Sequence, residues 1–135
     1  MAEVTVVDAS GGGLAPDTVR ILVNRTLASE QAGLDRVAVS FIAASVMRDL
    51  NRRHRQQEGP TDVLSFPFDR RFPQGSGGEI LVCPEAIRSG REPAQEMAHL
   101  IVHGTLHLLG YEDETAAGLA RMERKTEAIL EAVHG

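Results

Sequence analysis

Apolar positions alternate between short β-branched runs and longer stretches of helical period, which predicts strands interleaved with helices. Residues 4–8 (VTVVD) read as a strand and the following SGGG as a loop. From Pro16, the spacing of Val19, Ile21, Leu22 and Leu27 predicts a helix with proline in its first turn and an end near Gly33. A second strand at 36–42 (RVAVSFI) leads into a helix at 43–55, with Arg52, Arg53 and Arg55 near its C-terminus, where cations suit the helix dipole. QQEGP ends that helix.

Residues 61–68 (TDVLSFPF) form a third predicted strand, with Pro67 at an edge or an end because proline donates nothing to a ladder. A loop (DRRFPQGSGG) separates it from a fourth strand at 79–83, and PEAIRS turns once or twice before Gly90. The most apolar helix follows at 93–109, closed by Gly110 in a left-handed conformation. A last amphipathic helix presents Leu119, Met122, Ile129, Leu130 and Val133, with Thr115 as its N-cap. The expected fold class is α+β: a small mixed four-stranded sheet packed with about five helices, the histidine-bearing helix central.

A length of 135 residues suits a single domain, 1–135. The lone Cys83 cannot close an internal disulfide, and the N-terminus has neither a basic nor a continuous apolar leader pattern, so a cytoplasmic protein is expected. The most apolar window, VAVSFIAASVM, falls far short of the roughly 20 residues of a membrane span. A net charge of −5 excludes a general basic nucleic-acid binder. Local cations remain at Arg48, Arg52, Arg53, Arg55, Arg70 and Arg71. They suit a phosphate-binding patch or a solvated helix face.

The chemistry concentrates in HGTLHLLGYED, residues 103–113. His99, His103 and His107 stand at i, i+4 and i+8 on one helix face. Neighbours at this spacing can approach one metal ion, but i and i+8 lie roughly 12 Å apart at a rise of 1.5 Å per residue. One histidine is therefore a bystander, and His99 is that one, because Gly110 reverses the chain beside His103 and His107. The returning segment offers Glu112, Asp113 and Glu114 as a third ligand, giving a two-histidine, one-carboxylate set with open positions. The alternative is that the histidines are satisfied core residues and the acids cap the next helix. Gly104 occupies the slot that holds the general base in H-E-x-x-H metalloproteases, which disfavours a peptidase.

HGTLHLLGYED closely resembles the H-G-x-L-H-L-x-G-Y-D-H signature of the YbeY family of bacterial endoribonucleases. LNRRHRQQEGPTDVLSFPF resembles the family's L-N-x-x-Y-R segment followed by P-T-D-V-L-S-F-P, and GGEILVCPEAI resembles its G-D-I-x-I-C-P-E stretch. The blocks occur in the family's order, from Leu50 to Asp113. The resemblance implies a single-strand-specific, metal-dependent endoribonuclease acting in ribosomal RNA maturation, at the 3′ end of the small-subunit rRNA, and in ribosome quality control.

It implies His103 and His107 as the first two ligands of one zinc ion per chain and as catalytic residues. Arg55 falls on the family's arginine proposed to act on the RNA, with His54 at the preceding aromatic position. The family's third histidine falls in register on Asp113. A carboxylate there adds negative charge and hardens the ligand set, so tolerance of manganese or iron is expected. Arg55 suits charge stabilisation at phosphate, since guanidinium presents paired donors. Phe66 and Phe68 are expected in the core rather than as a base-stacking wall. Implied partners are single-stranded or ribosomal RNA and ribosome-associated proteins, with no membrane and a monomer as the expected state. The rival reading is a non-catalytic, metal-binding ribosome-assembly factor.

Overall fold

The computed structural model describes residues 1–55, 62–68, 75–87, 90 and 92–134, the side chains of His54 and Arg55 excepted. Four strands, β1 (Glu3–Asp8), β2 (Arg36–Phe41), β3 (Val63–Pro67) and β4 (Gly77–Val82), form one sheet in the order β1-β2-β4-β3. β1, β2 and β4 run parallel, and β3 joins β4 antiparallel at the edge. Pro67 thus lies both at the end of a strand and on an edge strand, where its missing N–H breaks no ladder. The helices are α1 (Pro16–Ser29), α2 (Ala44–Arg55), α3 (Pro93–Leu108) and α4 (Ala116–His134), with a 3-10 turn at Pro84–Ala86. This is the mixed α+β architecture expected.

Period-two alternation sorts the strands onto two faces. Val4, Val37, Val39, Phe41, Ile80 and Val82 meet α1, α3 and α4 in the main core. Leu64, Leu81 and the half-buried Phe66 turn to the other face, where Met47 of α2 closes a smaller core. Helix α3 is central because eleven of its residues, Glu96 through Leu106, are buried. It lies against β3, β4, α1 and α4.

Two helix ends explain how the chain is steered. Helix α1 stops at Ser29 rather than near Gly33. Gln31 takes the left-handed turn at φ 51°, Gln31 N–H donates to Ala28 O and Ala32 N–H to Leu27 O. That is a Schellman pattern on a non-glycine residue. Helix α3 ends with the same pattern on Gly110, φ 103°, where Gly110 N–H donates to His107 O and Tyr111 N–H to Leu106 O. Thr115 Oγ1 then accepts from Gly118 N–H at 2.9 Å and opens α4 as the N-cap. The inward face of α4 is Met122, Thr126 and Ile129, whereas Leu119 is 42% exposed and belongs to the surface.

Candidate metal centre

The reversal at Gly110 brings the loop back over the last turns of α3, and three donor atoms converge there. His103 Nε2 stands 3.1 Å from His107 Nε2, and Asp113 Oδ2 lies 3.3 Å from each. Glu112 and Glu114 also border the cleft but are exposed and stay outside this triangle. His99 stands apart, its Nε2 on Glu123 Oε2 at 3.0 Å and 3.9 Å from Glu127 Oε1.

The donor set is pre-aimed. His107 Nδ1–H donates to the backbone carbonyl of Tyr111 at 2.9 Å, which puts the proton of the neutral ring on Nδ1 and leaves a lone pair on Nε2. Tyr111 is itself anchored, its hydroxyl donating to Glu30 at the end of α1. Lys125 Nζ reaches the same carboxylate at 3.1 Å, and the Arg121 guanidinium lies 5.2 Å from the Tyr111 ring centre. Burial, together with the repulsion between the two rings when both are protonated, lowers the His103 pKa and so favours its neutral form. Burial opposes ionisation of Asp113, yet His107 and His103 hold its carboxyl below the usual carboxylate range.

These residues fit a divalent ion. A tetrahedral centre with bonds of about 2.0–2.1 Å has donor atoms roughly 3.3 Å apart, near the spacing of all three pairs here. The centre opens into a cleft of about 660 Å³ bordered by Asp62, Glu96, Glu112 and Glu114, with no lysine or arginine among the described wall residues. A cation is at home in such a field. Gly104 lies against the sheet. A Cβ there would stand 2.8 Å from Ile80 Cγ2 and 3.0 Å from Ser65 Oγ, so any side chain at this position is crowded by β4 and β3.

Residues 14–134 match the family model described as Endoribonuclease YbeY. Proteins of that name from Moorella thermoacetica and Alkalilimnicola ehrlichii are 39% and 37% identical, over 84% and 95% of this chain and 83% and 84% of theirs. The Rubrobacter xylanophilus protein of that name is 32% identical over 98% of this chain and 96% of its own. The chain belongs to the YbeY family. A Thermotoga maritima protein solved in solution shares the fold with a TM-score of 0.60 at 24% identity, covering 97% of this chain and 91% of that one.

Within this YbeY chain the other predicted site residues are placed less completely. Arg55 is the last residue of α2, and its side chain lies outside the described residues, as do Arg70 and Arg71. Arg48, Arg52 and Arg53 are exposed, and Arg53 is paired with Asp49 at 2.5 Å. Sequence reasoning missed Tyr111 and Glu30, which anchor the loop beside the centre, and Glu123, which pairs with His99. The one signal for Glu123 was its i, i+4 spacing from Glu127, one position after the buried Met122. No described helix is long and apolar enough to cross a membrane.

Proposed function

We propose that this chain is a metal-dependent endoribonuclease that cuts single-stranded RNA at the His103–His107–Asp113 centre. The observation carrying the reading is the convergence of three donor atoms at tetrahedral spacing on the wall of an open cleft, in a chain of the YbeY family. Zinc suits two imidazoles and one carboxylate, and the carboxylate makes manganese or iron acceptable substitutes. A bound ion supplies Lewis-acid activation of water and of the scissile phosphate.

The chain's own residues do the rest. His103 and His107 offer their Nε2 lone pairs, and Asp113 supplies the only formal charge of the ligand set. The Tyr111 carbonyl holds the His107 ring in its orientation. The carboxylates among the described wall residues repel an RNA backbone, which leaves the ion as the attractive point of that wall. Arg55, at the end of α2, is the residue assigned to the phosphate oxygens, because a guanidinium matches their geometry. The reading extends to one metallohydrolase domain over residues 1–135, acting as a cytoplasmic monomer in 3′-end maturation of small-subunit rRNA and in ribosome quality control with ribosome-associated proteins.

The test is cleavage of a single-stranded RNA oligomer by the purified protein, with zinc, manganese or iron(II), compared with His103→Ala of unchanged circular dichroism. Loss of two or more orders of magnitude in rate is expected. Equal rates for the two proteins would overturn the enzyme reading in favour of a metal-binding assembly factor.

A further inference from the structure

His103 has a second ring nitrogen, and its surroundings assign a role to a residue on another helix. With an ion taking the Nε2 lone pair that faces His107 and Asp113, the proton of the neutral ring would sit on Nδ1. That nitrogen is buried and has no hydrogen-bond partner among the described residues. The facing group is Glu123 of α4, whose Oε1 lies 3.9 Å away. Its other oxygen, Oε2, takes a hydrogen bond from His99 Nε2 at 3.0 Å, so the carboxylate is already turned with Oε1 toward His103.

Resting on the reading of His103 as a metal ligand, we propose that Glu123 is the positioning residue of that ligand: it accepts the Nδ1–H of His103 when the ion is bound, and His99 holds it in place. Metal-ligating histidines almost always donate their second N–H to a carboxylate, a carbonyl or a water, which fixes the tautomer and raises ligand basicity. His107 already does so through Tyr111 O. Glu123 is the carboxylate that faces the corresponding nitrogen of His103.

A gap of 3.9 Å is about 1 Å too long for a hydrogen bond. Glu123 is 40% exposed while the ring is 10% exposed, so the carboxylate is the partner free to close it. His99, the bystander of the histidine row, thereby acquires a function two residues removed from the metal.

The measurement is zinc affinity by competition with a chromophoric chelator, on the full chain, for wild type, Glu123→Ala, Glu123→Gln, His103→Ala and the control Glu127→Ala. Glu123→Ala is expected to weaken zinc 10–100-fold. Glu123→Gln, which keeps an acceptor oxygen without the charge, should recover part of that loss, and Glu127→Ala should match wild type. In the zinc-loaded protein the His103 Nδ1–H should give an exchange-protected nitrogen-coupled proton signal that is absent from Glu123→Ala.

Wild-type affinity and an unaltered signal in both Glu123 variants, with zinc lost in His103→Ala, would overturn this proposal and leave the metal centre standing. Zinc retained by His103→Ala would overturn the centre itself. The donor atoms of His99, Glu123 and Glu127 lie within 4.8 Å of one another. Two zinc ions per wild-type chain, falling to one in Glu123→Gln with the remaining affinity unchanged, would make Glu123 a ligand and overturn its positioning role.

Discussion

Replacing Gly104 by alanine tests whether α3 is pressed onto the sheet as closely as its geometry indicates. On an exposed helix the change stabilises by about 0.5–1 kcal/mol, because alanine loses less backbone freedom on folding. At 104 the new methyl would stand 2.8 Å from Ile80 Cγ2 and 3.0 Å from Ser65 Oγ. Carbon pairs settle near 3.5–4.0 Å, so one partner must move by roughly 0.7 Å or more. Ile80 is fully buried in β4, and Ser65 is tied by its own hydroxyl, which donates to Gly104 O at 3.2 Å. Overpacking of this kind costs about 1–3 kcal/mol.

The net expectation is a loss of roughly 1–2 kcal/mol after the helix gain is subtracted. Urea unfolding of the metal-free protein, with an unchanged m-value, measures it directly. In an Ile80→Ala background the obstructing methyl is gone, and the same substitution should become neutral or stabilising. Stabilisation of the single variant by about 1 kcal/mol would refute the close contact, because it is what an unobstructed helical position gives.

Four further outcomes follow from the same geometry. His103→Ala should abolish tight zinc binding in elemental analysis of dialysed protein, since it removes one corner of the donor triangle. Tyr111→Phe removes the donor to the largely buried Glu30 and should cost about 1–2 kcal/mol in urea unfolding, leaving Lys125 as the remaining partner. Gln31→Gly, at a φ of 51°, should stabilise by about 0.5–1 kcal/mol, because glycine adopts the left-handed turn without a steric penalty. In the metal-free protein, stability should fall as pH drops below the ordinary histidine value of 6.5, and again below 3.8. His103 and Asp113 both have lowered pKa values, so the unfolded chain binds more protons in those windows and acid favours unfolding. The upper step should flatten in His103→Ala, as read from urea midpoints at pH 7.5 and 5.5.

Much of the centre was legible because its rules are local. His103 and His107 share a face by helical spacing, and Gly110 ends that helix in a left-handed turn whatever packs around it. The acidic segment after the turn therefore had to return near those rings. Element positions followed from periodicity, with ends shifted by a few residues. The end of α1 is the instructive miss, since glycine at 33 marked the available turn while the chain makes it at Gln31.

Tertiary structure alone decided which groups meet across elements. Nothing local brings Glu30 of α1 to Tyr111, which is 81 positions away, or Glu123 of α4 to the face of His99. Nor does sequence show that a side chain at position 104 would meet Ile80 and Ser65; that depends on how α3 rests on β3 and β4. Hydrogen bonding within a helix and the conformational freedom of glycine act over a few residues and can be read from them. The orientation of a ligand's second nitrogen depends on packing between segments far apart in the chain, which no window of sequence contains.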